Sequence, residues 1–192
     1  KANGRGTYTF FNSKLQEKNK RKKLLIEKLN NAIKNNFIEF YYQKQIDKNN
    51  KIIGIELLAR WVDKDLGLID TNEFISLAIE IGVIESIDDM VLTKAISLIK
   101  EWKNNSEKKD WLVSINISLK QFERDDFISL VKEAFSKVNI PFGKLRIEIT
   151  ENLFYQNEEN IFCKISDLKN LGVKLSIDDF AKVELKVGEV IE

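Results

Sequence analysis

Short runs of apolar residues, each followed by a polar residue, recur along the chain. Four such runs lie at Lys51–Ile55, Leu112–Ile115, Leu145–Ile147 and Lys174–Ile177. The polar residues that follow them, at positions 56, 116, 148 and 178, are 60, 32 and 30 residues apart. These intervals correspond to one or two strand–helix units of about 30 residues each. The pattern is typical of short strands buried in a parallel sheet.

Helical periodicity fills the gaps between the runs. Apolar residues recur at helical spacing in three segments: 74–81, 90–102 and 127–138. A fourth set, Ile161–Leu171, ends at Gly172, where a helix-closing glycine is expected. Ser86 stands three residues before Asp89, which predicts a capping box for the second of these helices. Strands alternating with helices predict an α/β fold.

The first strand pair is expected to be antiparallel. An extended run, Phe37–Ile46, precedes the run Lys51–Arg60, and only the turn Asp47–Asn50 separates them. A parallel connection needs a crossover of a dozen or more residues, so this link is too short for one. The two runs therefore predict a hairpin at the start of the sheet.

The polar residues after the runs suggest a metal site. Carboxyl ends of parallel strands meet on one face of a barrel or open sheet. Two glutamates, one asparagine and the pair Asp178–Asp179 would then form an all-oxygen cluster, which favours Mg²⁺ or Mn²⁺. Strands also end in polar residues simply because the chain is leaving the core, and on spacing alone both interpretations stay open.

Composition narrows the classes of protein. The chain has 192 residues, of which 43% are hydrophobic, enough for one globular core. Its 31 Lys and Arg nearly balance 30 Asp and Glu, so no large field attracts a nucleic acid polymer. No apolar stretch approaches the ~20 residues that cross a bilayer. We expect a cytoplasmic domain. This expectation is compatible with upstream segments that tether the domain to a membrane.

Histidine is absent and cysteine occurs once. Without histidine, Ser–His and Cys–His nucleophilic pairs and His-ligated zinc or iron sites are excluded within these residues. Cys163 cannot form an internal disulfide, and its apolar neighbours predict a small core residue. Catalysis must therefore use carboxylates, Lys, Tyr or a metal-bound water.

Five short motifs follow one another in order along residues 37–180: Tyr42–Gln43, Glu56–Trp61, Asn116–Ser118, Glu148–Glu151 and Asp178–Phe180. Together they resemble the bacterial EAL domain, the phosphodiesterase module for the second messenger cyclic di-GMP. The second motif, Glu-Leu-Leu-Ala-Arg-Trp, departs from the name-giving Glu-Ala-Leu-x-Arg-Trp at Leu57. The resemblance implies a TIM-like (β/α) barrel with an antiparallel first strand.

The resemblance also implies an activity and its residues. Such a domain hydrolyses cyclic di-GMP to linear pGpG with two divalent cations, Mg²⁺ or Mn²⁺. The implied metal residues are Glu56, Asn116, Glu148, Asp178 and Asp179, with Glu56 also the catalytic residue. The implied ligand-binding residues are Gln43, Leu57 and Arg60. Glu151 would organise the neighbouring loop from behind the site.

Domain limits follow from the same resemblance. Residues 1–19 resemble the C-terminal remnant of a GGDEF-like domain, and residues 20–36 would connect it to an EAL domain at 37–180. Residues 181–192 form a tail in which Glu189 loosely matches a later family motif. The expected partners are cyclic di-GMP and an upstream GGDEF-like or sensory domain, and the resemblance is compatible with a homodimer.

Two departures from the family bear on activity. Leu57 replaces a smaller alanine and is expected to crowd the ligand. The family's catalytic lysine, carried by a later strand, has no counterpart before Glu192, so the barrel is expected to be incomplete at its C-terminus. Beside the enzyme, two alternatives therefore stand: a degenerate EAL domain that binds cyclic di-GMP without cleaving it, and a scaffold for a protein partner.

Overall fold

The computed structural model describes residues 13–138, 140–150 and 158–178. Its strands are β1 (Ile38–Ile46), β2 (Ile52–Asp63), β3 (Gly67–Leu68), β4 (Leu112–Asn116), β5 (Leu145–Thr150) and β6 (Lys174–Asp178). Its α-helices are α1 (Ser13–Lys34), α2 (Thr71–Glu80), α3 (Ile84–Trp102), α4 (Leu119–Glu123), α5 (Phe127–Ser136) and α6 (Glu158–Leu171). A 3₁₀ turn, Phe142–Lys144, precedes β5.

The strands form one mixed sheet in the order β1-β2-β4-β5-β6. Strand β1 runs antiparallel to β2, and the pairs β2–β4, β4–β5 and β5–β6 are parallel. The short β3 pairs antiparallel with the far end of β2. The α/β fold, its parallel neighbours and its antiparallel first strand were all predicted from the sequence, and the structure confirms them.

The turn between β1 and β2 is built by one aspartate. The Asp47 carboxylate accepts hydrogen bonds from the backbone N–H groups of Asn49 at 2.8 Å and Lys51 at 2.9 Å. Asn50 adopts a left-handed backbone with φ of 62°, which asparagine tolerates better than most residues. This local chemistry sets the hairpin that the four-residue spacing predicts.

Strand β2 is longer than the apolar run predicts, and this corrects the position of Glu56. Glu56 was expected where a strand ends, but β2 continues to Asp63. The reason is β1, which stays paired with β2 as far as the Ile38–Trp61 partners. Glu56 therefore lies inside a strand, and only Asn116 and Asp178 are the last residues of theirs.

Gly54 allows β2 to lie close to β4. A Cβ atom at this position would come 2.4 Å from the carbonyl oxygen of Leu112, which is closer than real Cβ contacts reach. Gly54 and Leu112 are register partners, so the contact lies at the start of the parallel pair. The register of β4 relative to β2 depends on the absence of a side chain at Gly54. The position of Asn116 depends on that register.

Helix α1 packs on the rest of the chain. Leu25, Leu29 and Ala32 share one face of the helix, and all three are buried. Lys28 on this helix donates hydrogen bonds to Asp63 at 2.9 Å, at the end of β2. The helix begins at Ser13, seven residues before the predicted connector, while residues 1–12 of the predicted GGDEF-like remnant lie outside the described residues.

Three local predictions had different outcomes. The capping box was wrong: α3 begins at Ile84, so Ser86 lies within its first turn, and Val83 at the N-cap makes no side-chain cap. Cys163 is exposed rather than in the core, because its position on α6 faces away from the sheet side that buries Ile161. Gly172 does close α6, with φ of 90°.

Within the described part of the chain, no helix combines the length and apolar character needed to cross a membrane.

Replacing Gly54 with alanine should separate β2 from β4. We expect Gly54→Ala to lower the free energy of unfolding by about 1–3 kcal/mol, because the new methyl group overlaps backbone that cannot move aside cheaply. Urea denaturation measures the loss. Gly143→Ala is the matched control, since its Cβ would meet its nearest neighbour at an ordinary 3.6 Å. Equal stability of the two variants would contradict the close-approach explanation.

Candidate functional site

The central sheet has one apolar face and one polar face. Successive residues of a strand point to opposite faces, and register partners share a face. Ile55, Val113 and Leu145 are aligned partners on the face that packs against the helices, and all three are buried. Glu56 aligns with Ser114, and Asn116 aligns with Glu148, on the other face. Polar side chains that are distant in sequence are thereby brought onto one surface.

A direct hydrogen bond joins two of the predicted metal residues. The side-chain amide of Asn116 donates to Glu56 Oε1 at 2.7 Å, across the gap between β2 and β4. Next to it, the backbone N–H of Ile117 donates to the carbonyl oxygen of Glu148 at 3.2 Å. Three of the predicted site residues therefore lie on three neighbouring strands, as the sequence analysis expected.

The sequence analysis missed a polar network beneath these residues. Gln45 Oε1 accepts a hydrogen bond from Ser114 Oγ at 3.1 Å, and Gln45 Nε2 lies 3.5 Å from Glu148 Oε1. Arg146 Nη1 lies 3.5 Å from Gln45 Oε1, which places a cation two residues before Glu148. The signal was available: Gln45 alternates with Gln43, and Arg146 interrupts an apolar run.

The predicted phosphate-binding arginine lies on the same polar face. Arg60 is two strand positions from Leu58 and four from Glu56, and its guanidinium donates to its neighbouring carbonyl, that of Ala59, at 2.8 Å. The guanidinium carbon lies 5.9 Å from the centre of the Tyr41 ring, within reach of a cation–π contact. Gln43 is exposed and pairs in register with Glu56. Tyr41 is a further candidate that the sequence analysis did not single out.

Leu57 lies away from this group, which corrects its predicted contact with the ligand. It follows Glu56 in an extended strand, so its side chain points to the helix-packed face, where it is 1% exposed. Its register partner on β4 is the buried Ile115. The larger side chain therefore fills the core and does not crowd the polar face.

The donor set suits a hard divalent cation. Glu56 and Glu148 offer carboxylates and Asn116 an amide oxygen, all ligands that Mg²⁺ and Mn²⁺ accept. The described residues contain no group of three or more His, Cys, Asp or Glu side chains placed to hold a metal. Asp178 is the last residue of β6 and pairs with Thr150. Asp179 and Glu151 lie outside the described residues.

A buried aspartate on α3 contacts the chain just beyond Asn116. Asp88 is 5% exposed and accepts hydrogen bonds from the Ser118 hydroxyl and, at 3.3 Å, from the Ser118 backbone N–H. Burial raises the pKa of Asp88 to about 7, and the two hydrogen bonds from Ser118 oppose that rise. Ser118 is also the N-cap of α4, accepting from the Gln121 N–H at 3.2 Å.

The raised pKa of Asp88 predicts a pH-dependent stability. The Asp88 carboxyl binds its proton more tightly in the folded chain than in the unfolded chain. The stability that this proton contributes is therefore present near pH 4 and is lost as the pH rises through about 7. The free energy of unfolding of Asp88→Asn, relative to that of the unsubstituted chain, should therefore be higher at about pH 8 than at about pH 5. We expect this rise to be on the order of 1–3 kcal/mol, because only the unsubstituted chain loses stability as Asp88 ionises. Urea denaturation at both pH values measures this difference. The exposed Asp125, changed to Asn, should show no such gain, and an equal gain in both variants would contradict the prediction.

Comparison with known proteins adds to this geometry. The oxygen sensor protein DosP of Escherichia coli K12 is 35% identical over 93% of this chain, which covers 22% of DosP. The bifunctional diguanylate cyclase/cyclic di-GMP phosphodiesterase MucR of Pseudomonas aeruginosa is 29% identical over 94% of this chain, which covers 26% of MucR. The chain therefore spans about a fifth to a quarter of the length of these curated relatives.

Solved structures agree on the fold. A MucR phosphodiesterase structure in complex with cyclic di-GMP superposes with a TM-score of 0.78 at 28% identity, covering 83% of this chain and 64% of that one. The mixed sheet and its helices thus match the TIM-like barrel of EAL structures. The model of the EAL domain family matches residues 26–188. The chain belongs to the EAL domain family.

Proposed function

We propose that this chain is a metal-dependent phosphodiesterase domain that hydrolyses cyclic di-GMP to linear pGpG in bacterial second-messenger signalling. The observation that carries the proposal is the Asn116–Glu56 hydrogen bond of 2.7 Å, with Glu148 in register beside Asn116. The relative MucR, named as a bifunctional diguanylate cyclase/cyclic di-GMP phosphodiesterase, supports the same substrate.

The proposed metal residues are Glu56, Asn116, Glu148, Asp178 and Asp179. They would hold Mg²⁺ or Mn²⁺, which lowers the pKa of a bound water and offsets charge on phosphoryl oxygens. Among the described residues, hydrogen bonds from neighbouring side chains constrain the Glu56 and Glu148 carboxylates. Asn116 donates to Glu56 and so holds one carboxylate oriented, while Gln45 lies between Ser114 and Glu148 and limits the movement of the second.

Substrate binding is assigned to residues along β1 and β2. A guanidinium can grip two phosphate oxygens at once, and Arg60 is placed for this on the polar face, beside the Tyr41 ring. Gln43 is exposed next to Glu56 and has amide groups that can bond to a guanine edge or a phosphate. Glu151 remains a proposed organiser of the loop after β5.

The reaction breaks one phosphodiester bond. A water oxygen bonds to one phosphorus, the bond from that phosphorus to a 3′ oxygen breaks, and a proton from the water ends on the released hydroxyl. The negative charge that builds on the phosphoryl oxygens needs nearby positive groups, and Arg60 is the described cation nearest along β2 to Glu56. Glu56, the proposed catalytic residue, supplies the carboxylate at the centre of this arrangement.

Two features of the sequence favoured binding of cyclic di-GMP without cleavage, and one of them no longer does. Leu57, the residue expected to crowd the ligand, is buried on the opposite face of β2. The other argument, the absence of a counterpart to the family's catalytic lysine, concerns positions outside the described residues. A domain that only binds the nucleotide has no need of the proposed metal residues, so we propose cleavage, and binding alone is an outcome of the test below.

We further propose that this domain is one module of a longer signalling protein. The proposed limits are 1–19 for a GGDEF-like remnant, 20–36 for the connector, 37–180 for the EAL domain and 181–192 for a tail. The matched region makes up 22% of DosP and 26% of MucR, which supports an upstream regulatory domain as partner. A homodimer is a further proposed assembly.

Glu56→Gln should abolish hydrolysis. The change keeps the size of the side chain but removes the charge that a divalent cation requires, so we expect the rate to fall by about a hundredfold or more. Incubation with cyclic di-GMP and Mg²⁺ or Mn²⁺, with chromatography of pGpG, measures it. The exposed Glu27, changed to Gln, is the control and should keep full activity. Binding of cyclic di-GMP with no product from the unsubstituted protein would favour the binding-only alternative.

Arg60→Lys should weaken nucleotide binding while keeping the positive charge. Lysine cannot reproduce the two-pronged grip on phosphate, so we expect the dissociation constant for cyclic di-GMP to rise about tenfold. Calorimetry on a Glu56→Gln background, where the nucleotide stays intact, measures the affinity. A dissociation constant unchanged by Arg60→Lys would remove Arg60 from the proposed ligand set.

A further inference from the structure

The position of Asn116 depends on how the chain leaves β4. Asn116 is the last residue of that strand and is exposed, so few contacts of its own hold it. The residue after it, Ile117, is buried and donates its N–H to the Glu148 carbonyl at 3.2 Å. The next residue, Ser118, is the N-cap of α4. Whatever holds Ser118 therefore limits the directions in which Asn116 can point.

Asp88 holds Ser118 from the neighbouring helix. Its carboxylate accepts from both the hydroxyl and the backbone N–H of Ser118, so it fixes the backbone as well as the side chain. Ser118 is half-buried, and Asp88 is the one acidic side chain that is buried among the described residues. Burying a carboxylate costs free energy unless hydrogen bonds compensate for the lost water. The Asp88–Ser118 contact is therefore unlike an incidental surface contact, which carries no such cost.

Two further side chains, Asp89 and Lys164, hold the rest of α4 in place, whereas Asp88 holds its start at Ser118. Asp89 accepts a hydrogen bond from Gln121 Nε2 at 2.7 Å, and the buried Lys164 of α6 donates to three carbonyl oxygens at the end of α4. The Lys164 contacts are 3.0, 2.6 and 2.9 Å long. These contacts hold the far end of α4, so we expect loss of the Asp88–Ser118 contact to affect mainly the start of α4, next to Asn116.

We propose that Asp88 is a positioning residue for the candidate metal ligand Asn116, acting through Ser118 at the start of α4. The assignment of Asn116 as a ligand rests on the proposed function. Asp88 touches neither metal nor substrate in this arrangement. It keeps the Asn116 amide directed at Glu56, so that the amide and both carboxylates are preorganised before a cation arrives.

The test follows the Asn116 side chain directly. Its amide donates to Glu56, so the ¹⁵N–¹H resonances of that amide report on the contact, and Asn116→Ala identifies them by their disappearance. Asp88→Ala and Ser118→Ala should shift these resonances and weaken Mn²⁺ binding, measured by electron paramagnetic resonance, by about tenfold to a hundredfold. Asp88→Asn keeps an acceptor oxygen and should preserve both.

The matched control separates positioning from stability. Ile99 is buried on the same helix, about 16 Å along its axis from Asp88, at a rise of ~1.5 Å per residue. Ile99→Ala should lower the unfolding temperature but leave the Asn116 resonances and the Mn²⁺ affinity unchanged. If Asp88→Ala does not fold, Ser118→Ala replaces it in the test, because this change removes only a hydroxyl. Its Asn116 resonances and Mn²⁺ affinity are then compared with those of Asp88→Asn.

The outcomes distinguish this proposal from the proposed function. Unshifted Asn116 resonances in folded Asp88→Ala and Ser118→Ala would overturn the role of Asp88, as would equal shifts in Ile99→Ala. If the unsubstituted chain binds no Mn²⁺ and releases no pGpG, the proposed function fails. In that case the Asn116 resonances still decide whether Asp88 positions this side chain.

Discussion

The parallel register of β2, β4 and β5 is the constraint on which the rest of this structure depends. It sets Glu56 beside β4 and Asn116 beside Glu148, and the same alternation places Ile55, Val113 and Leu145 against the helices. Because a slip of one residue would exchange the two faces, burial of the apolar face and assembly of the polar face are a single event. Gly54 protects this register by allowing the backbones of β2 and β4 to meet.

The polar face is held mainly by hydrogen bonds between side chains of different strands. Gln45 reaches from β1 to Ser114 and Glu148, and Asn116 reaches from β4 to Glu56. Such a network is stable only when its members satisfy one another, since an unpaired buried polar group is costly. Preorganisation of the candidate site and stability of the sheet therefore rest on the same contacts.

Prediction from sequence succeeded at two local features, failed at another, the capping box at Ser86, and failed where a neighbouring strand decided. The turn at Asp47 and the C-cap at Gly172 follow from local chemistry. The end of β2 did not, because its extension to Asp63 depends on pairing with β1. Leu57 was misplaced for a related reason: the motif places it next to Glu56, but adjacent residues of a strand face opposite ways.

The sequence by itself determined the family, the α/β alternation, the antiparallel first strand and the candidate residues Glu56, Asn116 and Glu148, since motifs and periodicity are written in residue order. Only the tertiary structure decided which groups touch. Gln45 and Arg146 joined the site, and Asp88 was paired with Ser118, through contacts between residues 30 to 103 positions apart. Residue order carries no direct record of such distances, because they arise when strands align and helices pack across them.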